Sequence, residues 1–268
     1  MMEPVRLSMV SMNSALGDAE GNLSRMLALC DSAVSGGADI VCFPELCLSG
    51  YSMPGSADAV MSADSPAVGA VVDKSRESGV CICFGFVDHG PSIAQAVVEG
   101  GRVLGVYRKT HLGEREAGVM VPGDRLDVIR MSKAVLGVQI CWEAHFPEIS
   151  CTYALKGADI ILMPFASNLG GERRRSSWDR ILPARAYDNT VYVGACNGYG
   201  PTGSGTELGG GAAIYDARGN KLAEDFSGEC IVTADLDPEP LEVIRAEGYV
   251  SMKDVYFLDK RRPEIYFR

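Results

Sequence analysis

The sequence predicts an α/β protein in which helices pack outside β-sheets, and two observations carry this prediction. Short apolar runs, typical of buried strands, alternate with amphipathic helical stretches along most of the chain, and the order strand, helix, strand indicates parallel pairing. The 268 residues contain no linker and no shift in composition, and α/β folds of this length often form one domain. We therefore expect a single domain over residues 1–268.

The first part of the chain predicts a strand–helix–strand unit. A strand at Val5 to Met12 precedes a helix with Leu23, Met26, Leu27 and Cys30 on one face. Asn22 is the expected N-cap of this helix, and Gly36 and Gly37 are expected to close it. The largely apolar run Ala38 to Phe43 is typical of a strand that is covered on both faces.

A helix, a strand and two hairpins are predicted next. Gly100 and Gly101 can supply the positive φ of the first hairpin turn. The elements are a loop at Ser49 to Asp64, a helix at Ala67 to Ser78, a strand at Val80 to Val87, and hairpins of Ile93 to Val98 with Val103 to Tyr107 and of Leu126 to Met131 with Ala134 to Ile140.

The strand that ends at Ile140 leads directly into Cys141. A helix can begin at Pro147, where Glu148 suits the positive end of the helix dipole, and Gly157 is a good residue to end it. Cys141 is thus predicted at an elbow between a buried strand and a helix, a setting that can produce a reactive thiolate. A small buried core residue is the ordinary alternative, because free cysteine is commonly buried.

The remaining chain continues the alternation and then becomes strand-rich. The elements are a strand at Asp159 to Met163, a helix at Arg174 to Asn189, a strand at Thr190 to Asn197, a glycine-rich loop at Gly198 to Gly211, a meander of Ala212 to Tyr215, Lys221 to Asp225 and Glu229 to Leu236, a short helix at Glu239 to Glu247, and a tail of little regular pattern to Arg268.

Composition excludes several classes of partner. The net charge of −10 argues against nucleic acid. The basic run Arg173 to Arg175 is interpreted as a solvated helix start, with binding of a ligand carboxylate as the alternative. With three histidines and no CxxC pair, we expect no metal and no cofactor. Nine cysteines in mostly apolar runs, an N-terminus unlike a signal peptide and the lack of a long apolar run predict a cytoplasmic protein that does not span a membrane.

Three residues fall at or just past the ends of predicted strands: Glu45, Lys109 and Cys141. In α/β sheets, ligands and functional groups gather at that edge. Together they could form a hydrolase, in which the carboxylate takes the thiol proton and the thiolate attacks a carbonyl carbon. The ammonium and the Trp142 N–H would meet the charge that develops on the carbonyl oxygen. Taken singly, each residue is ordinary: a surface Glu, a surface Lys and a core Cys.

Three blocks that contain these residues resemble the signature blocks of the nitrilase superfamily of carbon–nitrogen hydrolases: F-P-E-L-C-L-S-G-Y, Y-R-K-T-H-L and Q-I-C-W-E-A-H-F-P-E. The resemblance continues nearly to the C-terminus and implies a four-layer α-β-β-α sandwich that dimerises through the helices after the second and third blocks. By the same resemblance Glu45 is the general base, Lys109 the cation near the oxyanion, and Cys141 the nucleophile. Glu116 takes the place of a second glutamate, ahead of the weaker candidate Glu114.

The chain departs from the family pattern at two places. Cys151 stands where the family usually has an arginine, and we expect loss of a local salt bridge but not of chemistry. The elbow reads Cys-Trp-Glu, which is frequent among true nitrilases, whereas the length of the chain favours an amidase. Trp142, His145 and Asn168 are the expected oxyanion and pocket residues. Pocket shape is expected from four loops: Ser49 to Asp58, Gly113 to Val121, Ser167 to Arg175 and Gly198 to Gly210.

The leading hypothesis is a cofactor-free enzyme that releases ammonia from a small amide or N-carbamoyl compound. Three alternatives remain open at this stage. The chain could be a nitrilase that forms a thioimidate at Cys141, a catalytically silent scaffold, since fold does not imply function, or a Cys-His hydrolase that uses His111 or His145.

Overall fold

The computed structural model describes residues 2–62, 64–246 and 255–266, and within them the chain is a mixed α/β fold. The strands are β1 (Val5–Ser11), β2 (Ile40–Cys42), β3 (Cys81–Asp88), β4 (Ser92–Glu99), β5 (Arg102–Arg108), β6 (Ile129–Arg130), β7 (Val135–Val138), β8 (Ile160–Phe165), β9 (Tyr192–Asn197), β10 (Tyr199–Pro201), β11 (Glu207–Gly209), β12 (Ala212–Tyr215), β13 (Lys221–Asp225) and β14 (Cys230–Leu236). The α-helices are α1 (Ala19–Ser35), α2 (Pro66–Ser78), α3 (Pro147–Leu155), α4 (Gly171–Asn189) and α5 (Glu239–Arg245).

Two six-stranded sheets organise these elements. The first has the order β14-β1-β2-β3-β4-β5 and the second the order β13-β12-β9-β8-β7-β6, while β10 and β11 form a separate pair. In each sheet the strands joined through helices run parallel, β1 with β2 and β3 in one and β7 with β8 and β9 in the other. The remaining pairings are antiparallel. The predicted α/β class is therefore confirmed.

The two sheets stack between two layers of helices. Met26 of α1 and Val71 of α2 are buried against the first sheet, in one cluster with Phe84 and Phe86. On the opposite side, α3 and α4 pack on the second sheet. The sheets themselves meet closely, because a Cβ built on Gly194 of β9 would lie 2.7 Å from Met9 Sδ of β1. This is the four-layer α-β-β-α sandwich that the resemblance implied.

Helix boundaries follow from local capping. α2 begins with Ser65 as N-cap and Pro66 at its first position, and it ends at Gly79 with φ 72°. Such a left-handed residue is a common helix terminator because glycine has no Cβ penalty there. α3 likewise opens at Pro147, and Gly157 beyond it has φ 88°. The predicted helix after the cysteine is therefore confirmed, and it ends at Leu155, two residues before Gly157.

Three sequence predictions about local structure were wrong. The predicted meander is a hairpin of β12 and β13 only, because β14 pairs with β1 in the other sheet. The N-cap of α1 is Asp18, whose side chain accepts from Gly21 N at 3.0 Å. Asn22 lies inside the helix, buried, where its amide bonds Ala15 and the Leu48 carbonyl instead. The glycine-rich segment from residue 198 to 211 is more than a loop, since β10 and β11 pair within it.

The C-terminal predictions were met in part. α5 runs Glu239–Arg245, whereas the predicted end at Glu247 lies outside the described residues. In the tail, two short 3₁₀ turns occur at Phe257–Lys260 and Pro263–Ile265. Among the described residues, no helix combines the length and the apolar character needed to cross a bilayer.

Candidate active site

The three predicted reactive residues meet at one place in the fold. Glu45 lies three residues beyond β2, Lys109 directly follows β5, and Cys141 lies three residues beyond β7. The first two come from one sheet and the third from the other, so the two sheets must stack before the group can form. Sequence separation therefore gives no hint of this proximity, and only the strand-end pattern does.

Lys109 is the centre of a buried ionic network. Its Nζ donates to Glu45 Oε1 at 2.7 Å and to Glu116 Oε1 at 2.9 Å. The lysine side chain is fully buried, and the two carboxylates are 0% and 5% exposed. A buried charge of this kind is tolerated only when it is paired and hydrogen-bonded. Cys141 forms a hydrogen bond with Glu45, so the structure brings together all four residues predicted to act in catalysis.

Each carboxylate is held by a second group besides Lys109. Glu45 Oε2 accepts from the Ala166 backbone N–H at 2.9 Å, a contact that reaches across to the end of β8. Glu116 Oε2 accepts from Gly113 N at 2.8 Å, and the Tyr51 hydroxyl donates to Glu116 Oε1 at 3.1 Å. The rotamers of both glutamates are therefore fixed from two sides.

Burial and charge shift the ionisation of this group strongly. Burial and the Glu116 charge raise the pKa of Glu45 to about 7, against the opposing effects of Lys109 and of a hydrogen bond with Cys141. Burial, helped by Glu45, raises the pKa of the Cys141 thiol to about 12, although Lys109 lowers it. Burial alone would lower the pKa of Lys109, but Glu45, Cys141 and Glu116 outweigh it and raise that pKa.

These values define the resting protonation state near neutral pH. Lys109 is charged, the Cys141 thiol keeps its proton, and the pKa of Glu45 lies close to neutral pH. A base with a pKa near the working pH combines a large deprotonated fraction with useful proton affinity. Glu45 is thus suited to take the thiol proton as the sulfur attacks.

Cys141 has an uncommon backbone conformation. Its φ is +48°, in the left-handed region, and it opens a 3₁₀ turn, Cys141–His145, between β7 and α3. Non-glycine residues rarely adopt positive φ, and such residues cluster at functional sites. The residue as a whole is partly exposed. The predicted elbow is present, with a 3₁₀ turn inserted before the helix.

Cys141 and Glu116 line an open pocket of about 520 Å³, a size suited to small molecules. All four loops predicted to shape the pocket contribute to its wall. The lining residues are Tyr51, Met53, Gly113, Glu114, Arg115, Glu116, Cys141, Trp142, Ala166, Ser167, Asn168, Thr206 and Leu208.

The predicted pocket residues differ in their placement. Trp142, with 44% of its surface exposed, and Asn168 both line the cavity. His145 is not part of the wall described for this cavity, and its ring lies 5.3 Å from that of Trp142. His111 is exposed and packs against Phe146, with ring centroids 4.5 Å apart.

Sequence reasoning missed two notable residues. Tyr51 was visible in the first block, but nothing in its spacing indicated the bond to Glu116. Arg174 corrects the interpretation of the basic run, because it is 4% exposed rather than solvated. Its guanidinium lies 5.2 Å from the Phe165 ring centroid and 5.3 Å from that of Trp178, and burial lowers its pKa. Arg173 is exposed, and the half-buried Arg175 pairs with Glu172 and Glu224.

The sandwich fold and the group of Glu45, Lys109 and Cys141 beside a pocket are the features that the resemblance to the nitrilase superfamily implied. The model of the carbon-nitrogen hydrolase family matches residues 6–246. The chain therefore belongs to the carbon-nitrogen hydrolase family.

Relatives with assigned activities span amidases and nitrilases. A nitrilase from Pyrococcus abyssi is 30% identical, with 98% of this chain and 100% of the relative covered. An omega-amidase from Xenopus tropicalis is 27% identical over 97% of this chain and 100% of its own length. Among solved structures, an amidase from Nesterenkonia sp. AN1 is 25% identical with a TM-score of 0.82, and 97% of each chain is covered.

Proposed function

We propose that the protein hydrolyses a small amide or N-carbamoyl compound and releases ammonia through a thioester on Cys141. One observation carries the proposal: Lys109 bonds both Glu45 and Glu116, and this network adjoins Cys141, a partly exposed residue on the wall of a pocket. The amidase and omega-amidase relatives support the same activity. Glu45 is the general base, Cys141 the nucleophile, and Lys109 the cation at the oxyanion.

The first half-reaction forms the thioester. Glu45 takes the Cys141 proton while the sulfur attacks the carbonyl carbon, and the oxygen gains a negative charge that Lys109 and the Trp142 N–H stabilise. The tetrahedral intermediate collapses when the carbon–nitrogen bond breaks, and protonated Glu45 gives its proton to the departing ammonia. Cys141 then carries the acyl group, and Glu45 is again a carboxylate.

The second half-reaction hydrolyses the thioester and regenerates the free enzyme. Glu45 accepts a proton from water, and the resulting hydroxide attacks the thioester carbonyl. Collapse of that intermediate expels the Cys141 thiolate, which recovers its proton from Glu45, and the acid leaves. Glu116 holds Lys109 throughout and does not exchange protons with the substrate.

A nitrilase is the second candidate, because a nitrilase relative is aligned over nearly the whole chain. In that reaction the thiolate adds to the nitrile carbon and forms a thioimidate, which water converts to the thioester with loss of ammonia. The same three residues serve, so the substrate distinguishes the two functions.

Ammonia release by the wild type and Cys141→Ala tests both candidates. The panel contains small aliphatic amides, ω-amides of dicarboxylic acids, N-carbamoyl amino acids and amines, and nitriles. We expect release from an amide or carbamoyl class, and none above background from Cys141→Ala with its thermal midpoint preserved. Release from nitriles alone would favour the nitrilase. An unreactive thiol and silence across the panel would favour a scaffold protein.

We further propose a cytoplasmic homodimer that packs through α3 and α4 and does not depend on a metal, a cofactor, a membrane or nucleic acid. No α-helix lies between the second block and the third, a stretch that the structure describes in full, so the helix expected after the second block is absent and both proposed interface helices belong to the chain from the third block onward. All nine cysteines are free, which suits a reducing compartment. An apolar groove between these helices contains Cys151, Leu155 and Leu258, and Leu155 is 56% exposed. Light scattering of Leu155→Glu against the wild type tests the interface, and an unchanged dimer mass would contradict it.

A further inference from the structure

We propose that Glu143 is a positioning residue whose buried carboxylate holds the segment around Lys109 in place against the elbow of Cys141. The inference rests on the proposed function, because it assigns Glu143 no contact with the substrate and lets it act through those two residues. Its evidence is a set of hydrogen bonds that join the two segments through one side chain.

One oxygen of Glu143 serves the lysine segment. Oε1 accepts from the Tyr107 hydroxyl at 2.6 Å, from Thr110 N at 2.8 Å and Thr110 Oγ1 at 2.7 Å, and from His111 N at 3.2 Å. These donors lie on both sides of Lys109 in the chain. The direction in which Lys109 leaves β5 is therefore fixed by one carboxylate oxygen.

The other oxygen serves the cysteine elbow. Oε2 accepts from Ile140 N at 2.7 Å, the residue directly before Cys141. The backbone closes the same turn, because Glu143 N donates to Ile140 O at 3.0 Å, and Gln139 Nε2 donates to Glu143 O at 2.5 Å. The strained φ of Cys141 is thus enclosed by contacts that all involve Glu143.

Burying the Glu143 carboxylate is energetically unfavourable, and a role in positioning the two segments explains why it is buried. Glu143 is 0% exposed, and within the described residues no lysine or arginine forms an ion pair with it; His111 Nδ1 lies 3.9 Å from Oε1. Removing a carboxylate from water costs several kcal/mol per ion even after relaxation. Neutral hydrogen-bond donors alone offset that cost here. A simple packing role would be met by an apolar side chain of similar volume.

Position matters because Lys109 acts on Cys141 through space. Lys109 lowers the pKa of the thiol, and this effect weakens as the two residues move apart. A misplacement of about 1 Å can cost about 10²-fold in rate. Loosening the link between the two segments should therefore slow the reactions of Cys141 without changing any group that touches the substrate.

The decisive measurement is the rate at which iodoacetamide alkylates Cys141 in Glu143→Gln, followed by mass spectrometry of the Cys141 peptide. Glutamine has the size of glutamate, but one of its two terminal groups is an NH₂ donor. This group must face either the donors of the lysine segment or the N–H of Ile140, so the hydrogen bonds to one of the two segments are lost. We expect alkylation to slow at least about tenfold. Loss of a nearby negative charge would, by itself, speed alkylation, so the sign of the change separates positioning from a direct charge effect.

A double-mutant cycle shows whether the effect passes through Lys109. In a Lys109→Met background, Glu143→Gln should add little further slowing, because the group it positions is gone. Asp159→Asn is the matched control. Asp159 is a buried carboxylate that accepts from Val135 N at 3.0 Å and from Arg245 Nη1 at 2.7 Å. It is not among the residues that line the pocket, and its variant should alkylate at the wild-type rate.

Alkylation as fast as in the wild type, or slowing that persists in full without Lys109, would overturn the proposal. If Glu143→Gln does not fold, Tyr107→Phe carries the test: it removes one donor and keeps the ring, and its smaller slowing should vanish in the Lys109→Met background. Alkylation needs no substrate. If no amide of the panel released ammonia, the proposed function would be contradicted, but the alkylation rates would still test the role of Glu143.

Discussion

Lys109 is buried with a carboxylate on either side, 2.7 and 2.9 Å from its Nζ. Apolar replacements of buried ionic groups are often neutral or stabilising, whereas removal of one member leaves an uncompensated charge and costs about 3–5 kcal/mol. Apolar side chains of similar volume could therefore stabilise the fold about as well as this network does. Its position beside a pocket that Glu116 and Cys141 line is better explained by chemistry.

Replacement of this lysine tests that explanation. We expect Lys109→Met to lower kcat by about 10² or more, the usual size for loss of an oxyanion partner. Steady-state kinetics on the best amide of the panel provides the measurement. Lys156→Met, at the exposed end of α3, makes the same substitution away from the site and should leave kcat unchanged. An unchanged kcat in Lys109→Met would remove the lysine from the reaction.

The pKa of Glu45 gives the enzyme a characteristic pH dependence. Glu45 must be ionised to accept the thiol proton, and its pKa is raised to about 7, so kcat/KM should be full above this pH and fall as the pH drops through it. Glu116 contributes to the raised pKa of Glu45. Glu116→Gln should therefore move the fall in kcat/KM to lower pH.

Protonation of a histidine could also make kcat/KM fall at low pH, and this fall is called the acid limb of the pH profile. Burial, Arg185 and Arg174 lower the pKa of His145 from 6.5, so its titration lies below that of Glu45. His145→Ala should leave the limb in place. A limb that disappears with His145→Ala would instead revive the Cys-His alternative, and activity that stays flat down to pH 5 would contradict the role of Glu45.

At the residue scale, chemistry-bearing side chains could be predicted where the sequence marks a strand end. Glu45, Lys109 and Cys141 all follow apolar runs, and their types suit one reaction. Tyr51 and Glu143 could not be found in this way, because their importance lies in hydrogen bonds to residues distant in the chain. The roles of all these residues stay predictions until the variants are measured.

At the scale of elements, the turn after β2 is shaped by close packing on β3. A Cβ built on Gly85 would lie 2.3 Å from Leu46 N and 2.7 Å from Pro44 O. Both contacts are backbone atoms on either side of Glu45, so they cannot move aside as the end of a flexible side chain would. Gly85 thus allows the segment that carries the proposed base to lie against the sheet.

Gly85→Ala should therefore displace Glu45. We expect turnover to fall by about 10² and the free energy of unfolding to fall by about 1–3 kcal/mol, the usual cost of overpacking. Gly69→Ala makes the same change on the exposed face of α2, where nothing lies within 4 Å, and should stabilise the protein by up to about 1 kcal/mol. Denaturant unfolding and ammonia release report both effects; wild-type values in Gly85→Ala would refute the packing argument.

Most elements could be predicted from periodicity and end signals, and the failures have physical causes. Asn22 has the chemistry of an N-cap, but tertiary bonds to Ala15 and Leu48 hold it inside α1. β10 and β11 were hidden because seven glycines between residues 198 and 211 reduce strand propensity. Arg174 was misjudged because a basic run is usually solvated, whereas this arginine packs on two aromatic rings.

For the whole molecule, the arrangement of layers explains why the site lies where it does. Glu45 and Lys109 extend from one sheet and Cys141 from the other, and the bond from Ala166 N to Glu45 joins the two. The layer order followed from the family resemblance, since periodicity alone indicated only helices outside sheets. That residues 1–268 form one domain stays a prediction.

The central claim is that Cys141 carries the acyl group of the substrate, and mass spectrometry after rapid quenching tests it most directly. Once an amide substrate is identified, the Cys141 peptide should gain the mass of the amide less one ammonia, and the gain should decay as the acid appears. Cys141→Ala should show neither the adduct nor turnover. Continued turnover with no adduct on Cys141, or an adduct on another cysteine, would contradict the account.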